Sequence, residues 1–481
     1  MNELLDRIIR EDLSRVARQK GRILFMPGDG RYQPEELKPF LGYDMWATFL
    51  IIVEWFWLLT LAKIGEMPER DAKFLTYERL MRLLFCITTT RQDAIEKETK
   101  HDILALLQLM RLYLPRSLHR WLHLGATSYD KICTAYALIL QQVFIRIFWP
   151  KLQNLDLNWR EKIRQYVKIV QAGRTHLQTA LPVTIGFWLA CLHHRFIDSA
   201  RRAFHLVTLV PGKFSGAVGT SAAIRTMLPK IDAEGELMKM LGLKPAKFST
   251  QITPSEASAR FYFEMVLMSG VLGNFGEDIR ILQSSMCGEL TSAASSSSTM
   301  AHKKANPIVA ENVCGMHVDV IAEFMKVLLT LVSDLQRDLR WSSVMRSFSA
   351  IMTYGFNQIT SAEKVLKSLT VNEVKVSQNF KAEAKLVMAE LLHLSLQKNG
   401  YPDTHTLVNK IVVPRSAETG ADLAMTVDEL IERGTIDVDG QLEKAWGRVS
   451  PSIVELLKNP ERYTGDAIKL AKKEAKNKLV K

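Results

Sequence analysis

The sequence predicts an all-α fold, and three observations support this prediction. Apolar residues recur at helical spacing, as in a run whose members would share one helix face: Trp159, Ile163, Tyr166, Val167 and Val170. Strand alternation is scarce along the chain. Pro and Gly are thinly spread over the 481 residues, and no fixed-period repeat is visible. We therefore expect helices in tightly joined domains.

The first strongly apolar segment, residues 45–64, has nearly the length of a membrane span. Glu54 lies at its centre, where an unpaired carboxylate would cost about 2.5–3.5 kcal/mol on insertion scales. Neither basic flanking asymmetry nor a second span supports membrane insertion. We therefore favour a buried helix with Glu54 paired internally over a membrane helix.

Two later helices are predicted from their first residues. The run Thr253-Pro-Ser-Glu256 is typical of a capping box with Pro at the first helical position, opening a helix that continues through Met268. Ser450-Pro451 predicts another helix start near the C-terminus.

The charge and cysteine content narrow the class of protein. The 63 Lys and Arg against 51 Asp and Glu leave a net charge of +12, which favours an anionic partner such as nucleic acid, an acidic membrane or a small polyanion. The five cysteines are scattered without a CxxC pair, so we expect reduced thiols and no zinc site. The N-terminal segment lacks the apolar core of a secretory signal, and we expect a cytoplasmic protein.

Two polar segments interrupt the helical pattern. Ser295–Ser298 is a low-complexity stretch, for which we expect an exposed, mobile loop. The Lys-rich tail from Lys469 is interpreted as a solvated helix end; nucleic-acid contact is the weaker alternative, since no motif accompanies it.

Polar clusters open two apolar helical runs. One contains His101 and Asp102, and the other spans His123 to Asp130 and includes Thr127 and Ser128. Each places polar side chains at a helix N-terminus, where free backbone N–H groups favour anions. Taken singly, each cluster is better explained by ordinary helix capping.

The segment Gly173-Arg-Thr-His-Leu-Gln178 brings a cation, a hydroxyl, an imidazole and an amide together. His176 is flanked by polar groups, and an imidazole that titrates near neutrality is the commonest general acid or base. The glycine-punctuated run 212–220 is not GxGxxG and follows no predicted strand, so a dinucleotide fold is unsupported.

Three separated motifs, GRTHLQ, SGAVGT and SSTMAHKKANPIVAEN, together resemble the aspartase/fumarase superfamily of elimination lyases. Within it, the segments DGRY, ETKHD, HLGATSYD, STQITP and QRDLRWSSVMR are similar to those of the adenylosuccinate lyases. The motifs span about residues 28–346, and the rest of the chain is more loosely similar.

The resemblance implies an all-α subunit of three domains: an N-terminal helical domain over 1–117, a central long-helix bundle over 118–370 with a catalytic loop at about 290–307, and a C-terminal helical domain over 371–481. It implies a homotetramer with composite active sites. It also implies a carbon–nitrogen lyase that releases fumarate from adenylosuccinate, giving AMP, and from the succinylcarboxamide intermediate of purine biosynthesis, without a metal or organic cofactor and without nucleic-acid or membrane partners.

The resemblance also implies roles for individual residues. His176 would be the general acid and His101 a second active-site imidazole, while the base would be Ser297 or, slightly favoured, Ser298. Lys303 would stabilise the dianionic intermediate, and Glu311 would support His176 or its neighbours. The substrate would be bound by the remaining predicted residues: Arg31, Tyr32, His123, Thr127, Ser128, Thr175, Gln251, Asn306, Arg337, Ser342 and Arg346.

The chain departs from the family pattern in the loop. Ser296 and Ala301 stand where Gly and Pro are usual, and Ala305 is an extra residue, so the loop geometry is open. Arg340-Trp341 replaces a usual Thr-Asp pair. These departures leave open a changed purine or a different succinyl adduct. A sibling lyase of the argininosuccinate, fumarate or cycloisomerase type is the alternative, because GRTHLQ and GATSYD occur across the superfamily. A non-catalytic structural protein is a weaker one, because a scaffold has no need of both histidines, both serines and the lysine.

Overall fold

The computed structural model describes residues 3–20, 30–229, 231–292, 306–337, 342–345, 347–434, 436 and 439–480. Helices dominate these residues, which confirms the predicted all-α class. The strands of this part of the chain are β1 Val170–Thr175, β2 Gln178–Thr184, β3 Leu290–Thr291 and β4 Thr370–Val371. They pair antiparallel, β1 with β2 and β3 with β4.

Ten helices matter most for the site and the core. They are α1 Met45–Lys63, α2 Asp102–Tyr113, α3 Ser128–Val143, α4 Trp149–Gln165, α5 Ile185–Val207, α6 Glu256–Leu282, α7 Ile308–Leu329, α8 Ser349–Ser368, α9 Glu373–Val387 and α10 Ala467–Glu474. A π-helical turn, Phe144–Phe148, joins α3 to α4 in one 38-residue helix.

Shorter helices occupy the rest of the described chain. Before α3 they are Glu3–Arg7, Ile8–Asp12 (π), Leu13–Lys20, Gly30–Tyr32 and Glu35–Leu37 (both 3-10), Lys38–Leu41, Glu69–Ala72, Tyr77–Cys86, Thr89–Thr99 and Arg116–His119. After α5 they are Ala222–Met227, Ala233–Leu241, Ser342–Met345, Ala389–Lys398, Thr404–Leu407, Val408–Val412 (π), Val413–Thr419, Leu423–Arg433, Gln441–Trp446, Pro451–Lys458 and Pro460–Arg462 (3-10).

The chain divides into two compact units. The first contains residues 1–154, 196–274 and 312–361, and the second contains residues 155–195, 275–311 and 362–481. Helices α4 to α8 contribute residues to both units. The three-domain organisation stays a prediction.

Helix α1 forms part of the core of the first unit. It is apolar all round, as buried helices are, and it packs against α3. Glu54 is fully buried in it and forms an ion pair with the equally buried Lys131 of α3. The predicted internal pairing of Glu54 is therefore confirmed.

By length and composition, two helices of the described chain could cross a membrane, α1 and the 38-residue helix Ser128–Gln165. The second was not recognised in the sequence. In α1, 89% of the most apolar window is buried by protein, and in the longer helix 67% is. Burial of this kind is typical of a core helix.

The predicted apolar face of α4 is only partly correct. Trp159, Ile163 and Tyr166 are buried, but α4 ends at Gln165. Val170 is the first residue of β1 instead of a helix residue, because the following segment pairs with residues 178–184 as a hairpin. Short-range periodicity does not report such a pairing.

Both predicted helices are present, but the predicted capping box of α6 is wrong. α6 begins at Glu256 and not at Pro254, and its first turn closes on Ser255, whose carbonyl accepts from the Ala259 N–H at 2.9 Å. The C-terminal helix begins at Pro451 with Ser450 as the N-cap.

In the second unit, a buried histidine anchors the last helix. The imidazole of His193 on α5 lies 2.8 Å from Asp156 Oδ1 of α4 and 2.8 Å from Glu474 Oε1 of α10. Burial alone would lower the pKa of His193, but its hydrogen bonds to the two carboxylates outweigh this effect and raise it. Both carboxylates therefore favour the charged form of the imidazole.

Candidate active site

A cavity of about 300 Å³ in the first unit is lined in part by predicted site residues. Four of them line it: His101, Ser128, Gln251 and Ser342. The other lining residues are charged or bulky side chains: Trp46, Glu96, Lys100, Asp102, Tyr129, Ile132, Tyr136 and Met345. Residues from five separate stretches of sequence therefore share one concavity.

His101 and Ser128 form the central contact of the cavity. The Nδ1 atom of His101 accepts a hydrogen bond from the Leu104 N–H at 3.3 Å and so caps α2. In the neutral imidazole the proton therefore lies on Nε2, which donates to Ser128 Oγ at 3.2 Å. Because Ser128 Oγ accepts this bond, its own hydrogen is left to donate to a ligand.

Thr127 caps the N-terminus of α3 in a capping box. Its side chain accepts from the N–H of Asp130, and Asp130 Oδ2 accepts from the Thr127 N–H at 2.8 Å. The capping interpretation is thus correct for Thr127 and for His101. Ser128 is the first residue of the helix and faces the cavity.

His123 lies in the turn before α3, with a left-handed φ of 61°. Its backbone N–H donates to Glu54 Oε1 at 2.6 Å. Burial, reinforced by Lys131 and His101, lowers the pKa of His123 to about 3. Any ligand contact that His123 makes near neutral pH is therefore made by an uncharged imidazole.

The glycine-punctuated run 212–220 is docked onto the start of α3. Fully buried Lys213 forms an ion pair with Asp130, and Asp130 Oδ1 also accepts the N–H groups of Ser215 and Gly216, each at 3.1 Å. Gly219 has φ +80°, and a Cβ there would lie 2.0 Å from the Ser249 carbonyl oxygen. Only glycine permits this approach, which brings the run against the segment that carries Gln251.

Two predicted nucleotide contacts lie near α3 in the first unit. The guanidinium of Arg337 stacks 5.3 Å above the ring of Tyr129, and Arg337 has φ 91°. The Gln251 N–H donates to the carbonyl of Gln336 at 3.1 Å, which ties the two segments together.

The predicted phosphate contacts Arg31 and Tyr32 lie in a 3-10 turn, Gly30–Tyr32. The Tyr32 carbonyl accepts from Asn357 Nδ2 of α8 at 3.1 Å, and its ring lies 6.5 Å from that of Tyr354. The structure thus attaches this turn to α8. Neither residue lines the cavity around His101.

In the second unit, Thr175 and His176 lie at the tip of the hairpin β1–β2. His176 and Leu177 form its two-residue turn with φ of 55° and 61°, a pair of left-handed residues characteristic of a type I′ turn. Non-glycine residues in this region are strained, and such strain is concentrated at functional sites. His176 is exposed.

Strand β1 of the hairpin is held by a buried carboxylate that the sequence did not predict. Glu289 is fully buried and binds Arg174 as an ion pair, while Gln171 Nε2 and Asn379 Nδ2 donate to it at 2.8 and 2.9 Å. Burial alone would raise the pKa of Glu289, but these hydrogen bonds outweigh it and lower the pKa. Glu289 comes directly before the predicted catalytic loop. In the sequence, that position was the only indication that Glu289 has a role in the site.

Asn306 and Glu311 are exposed at the start of α7, where Glu311 lies in the first helical turn. The predicted Ser297, Ser298, Lys303 and Arg346 lie outside the described residues, as do the departures Ser296, Ala301, Ala305, Arg340 and Trp341. Across the described ranges, no group of three His, Cys, Asp or Glu side chains is placed to hold a metal ion.

Comparison with known proteins identifies relatives over nearly the whole chain. Residues 84–322 match a family model described as lyase. Adenylosuccinate lyase from Archaeoglobus fulgidus is 31% identical over 453 residues, covering 92% of this chain and 96% of that protein. Adenylosuccinate lyase from Pyrococcus abyssi is 30% identical, covering 92% and 95%.

Solved structures with lower identity share the fold. Fumarate lyase from Mesorhizobium sp. BNC1 has a TM-score of 0.76 at 22% identity and covers 93% of this chain and 99% of its own. A 3-carboxy-cis,cis-muconate lactonizing enzyme from Pseudomonas putida has a TM-score of 0.76 at 20% identity, covering 92% and 97%. The chain belongs to the adenylosuccinate lyase family, within the aspartase/fumarase superfamily.

Proposed function

We propose that this protein is an adenylosuccinate lyase that eliminates fumarate from adenylosuccinate and leaves AMP. Family membership over almost the full length supports this function. The structural observation that carries it is the cavity in which His101 contacts Ser128 at the N-terminus of α3. This arrangement suits a dicarboxylate, because a helix N-terminus and a donating hydroxyl both favour a carboxylate.

The reaction needs two proton transfers and charge stabilisation. A base takes the proton from the carbon next to one carboxylate, the carbon–nitrogen bond breaks, and an acid protonates the purine nitrogen that leaves. The electrons of the broken C–H bond form the double bond of fumarate. The intermediate carries extra negative charge on the carboxylate, so donors and cations placed in advance supply much of the rate enhancement.

In the first unit, the cavity residues bind and orient the substrate. Ser128 donates to a succinyl carboxylate, and His101 holds the Ser128 hydroxyl in the donating orientation. Gln251 and Ser342 supply further polar groups in the same cavity. Tyr129 lines it too, so the Arg337 guanidinium above its ring adds positive charge for the nucleotide.

In the second unit, His176 supplies the proton for the leaving nitrogen. His176 is exposed at a strained hairpin tip, and the hairpin is held by the ion pair between Arg174 and Glu289. This position suits a group that contacts a substrate bound outside its own unit. Ser297 or Ser298 serves as the base and Lys303 stabilises the dianion, as the family motif implies. Glu311 and Asn306 support this half of the site.

The protein is proposed to assemble as a homotetramer with composite active sites. An exposed apolar stripe on α7 supports association: Val318, Ile321, Met325 and Leu328 recur at helical spacing and are 40–66% exposed. Phe263 and Leu267 of α6 are also exposed, and Phe263 contacts Phe324 of α7, their rings 5.9 Å apart. A continuous apolar surface of this kind is unfavourable in water unless a partner covers it.

The activity is tested by measuring fumarate release from adenylosuccinate, from the succinylcarboxamide intermediate and from argininosuccinate in parallel. We expect turnover of the first two and none of the third. Turnover of argininosuccinate alone would contradict the proposed substrate. Light scattering should give four times the 54.6 kDa chain mass, and a monomer at micromolar concentration would contradict the assembly.

Composite sites are tested by mixing two inactive variants, His176→Ala and Ser298→Ala. If residues of different subunits complete one site, the mixture recovers part of the activity.

We propose a cytoplasmic location as well, which fractionation of cells would check.

A further inference from the structure

Asp130 and Lys131 are neighbours at the start of α3, and each forms a buried ion pair. In one pair α3 supplies the carboxylate, and in the other it supplies the ammonium group. Asp130 pairs with Lys213 of the run 212–220, and Lys131 pairs with Glu54 of α1. All four side chains are fully buried. None of the four lines the cavity, so they act on the site through other residues.

The Glu54 carboxylate also holds the backbone before α3. One oxygen pairs with Lys131, and the other accepts the His123 N–H at 2.6 Å. The five-residue segment from His123 to Thr127 contains two residues with left-handed φ, His123 at 61° and Gly125 at 71°. Glu54 therefore ties the start of this strained segment to the helix that follows it.

Asp130 ties the end of the same segment. Its carboxylate accepts the N–H of Thr127, and it binds Lys213 and the N–H groups of Ser215 and Gly216. The segment that leads to Ser128 is thus fixed at both ends by buried carboxylates whose hydrogen bonds are directional. Ser128 follows directly and donates into the cavity.

Stability alone does not explain two buried ion pairs here. Removing charges from water is costly, and well-packed apolar residues of similar volume are often equally stabilising. What the ion pairs supply instead is a unique placement of the groups that they bind. A displacement of about 1 Å in a substrate-binding group is enough to lower the rate markedly.

We propose that the buried carboxylates Glu54 and Asp130, each paired with a buried lysine, are positioning residues. Their hydrogen bonds to the backbone of residues 123–127 set the place and orientation of the Thr127–Ser128 carboxylate site. The inference rests on the proposed lyase function. It goes beyond that function because it assigns a role in the reaction to residues that do not touch the substrate.

The test compares two double variants that both remove the buried charge pair. Glu54→Leu with Lys131→Met leaves no acceptor for the His123 N–H, whereas Glu54→Gln with Lys131→Met keeps one. Arg146→Met, which breaks the ion pair with Asp6 away from the cavity, is the matched control. Each variant is assayed for kcat and KM with adenylosuccinate well below its Tm, with the active fraction determined.

We expect the Leu/Met variant to lose roughly 10- to 100-fold in kcat/KM and the Gln/Met variant to recover most of this loss. The control should remain within about twofold of the unmodified protein. A Leu/Met variant that keeps kcat/KM within about twofold would overturn the proposal. So would equal losses in both double variants, since the acceptor for His123 would then be irrelevant.

Hydrogen exchange of the segment 121–128 gives a readout independent of activity. The Leu/Met variant should exchange at least tenfold faster there, and the Gln/Met variant at nearly the original rate. If the unmodified protein does not release fumarate, the proposed function fails, while the exchange rates still report whether the ion pair holds the segment. Unchanged exchange in the Leu/Met variant would overturn the positioning role by itself. If that variant fails to fold, Glu54→Met with Lys131→Met, which also leaves no acceptor for the His123 N–H, replaces it in both measurements. Exchange and turnover equal to those of the Gln/Met variant would then overturn the proposal.

Discussion

The two regions that carry the predicted imidazoles are held in different ways. At the start of α3, four fully buried charges fix the segment before Ser128, and His101 is locked by a hydrogen bond on each ring nitrogen. At the hairpin tip, His176 is exposed on a strained two-residue turn, and Glu289 holds the preceding strand β1 through Gln171 and Arg174. The comparison indicates that the proposed binding group, Ser128, is placed by its buried surroundings, whereas the proposed proton donor, His176, is placed by the geometry of a short turn.

The largest effect is expected where the proposed proton donor, His176, is removed. His176→Ala should lower kcat about 10²- to 10⁴-fold, or roughly 3–5 kcal/mol of transition-state stabilisation, with little change in Tm because the side chain is exposed. Steady-state kinetics and thermal unfolding measure the two quantities. His176→Asn is the control for the turn, since Asn tolerates left-handed φ; a variant of either kind with near-normal kcat would exclude His176 as the acid.

The next largest effect is a loss of stability, expected when the buried carboxylate that holds the hairpin is removed. Glu289→Ala should destabilise the protein by about 3 kcal/mol, because it leaves Arg174 and two amide donors without their buried acceptor. Chemical denaturation measures the loss. The control is Glu277→Ala, which breaks an exposed ion pair with Arg280 and should lower the free energy of unfolding by less than about 1 kcal/mol. If the two variants lost the same free energy of unfolding, the burial of Glu289 would not explain its effect.

A smaller effect is expected from Ser128, the proposed binding group at the start of α3. Ser128→Ala should raise KM for adenylosuccinate about tenfold, near 1.4 kcal/mol, with a lesser change in kcat, because one hydrogen bond to a carboxylate is lost. Initial-rate measurements over a range of substrate concentrations test this. A larger fall in kcat than in affinity would mean that Ser128 acts in the chemical step.

The last effect is a difference in pH dependence between the partly buried His123 and the fully buried His193. The pKa of His123 falls from 6.5 to about 3 on folding, so between these values the unfolded chain binds a proton that the folded protein does not. Stability from this group is present above pH 6.5 and is lost on acidification by up to about 1.4 kcal/mol per pH unit. His123→Gln should reduce the acid slope in denaturation measured from pH 7 to pH 4.

His193 should show the opposite sign. Its pKa is raised above 6.5 by two carboxylates, so its stabilisation is complete below pH 6.5 and is lost as pH rises through the higher folded value. His193→Gln should therefore flatten the alkaline side of the stability curve. The exposed neighbour His194 is the control, and a similar effect of His194→Gln would contradict the assignment to the buried site.

The sequence was sufficient for features that depend on neighbouring residues. The helices around Trp159, Glu256 and Pro451 follow from periodicity and capping, which act within one or two helical turns. The local motifs also identified His101 and Ser128, which the structure brings into contact across 27 positions of sequence.

Only the tertiary structure decided the contacts between distant segments. Because its sequence neighbours are apolar, Glu54 was expected to have an internal partner. The sequence could not identify Lys131 as that partner, since the two residues are 77 positions apart. The hairpin at His176 and the buried position of Glu289 were not predicted, because a two-residue turn without glycine gives no strong local signal and a buried carboxylate has no periodicity. Helices are specified by hydrogen bonds between near neighbours, whereas buried charges are stable only where the folded chain supplies a partner, and that choice is non-local.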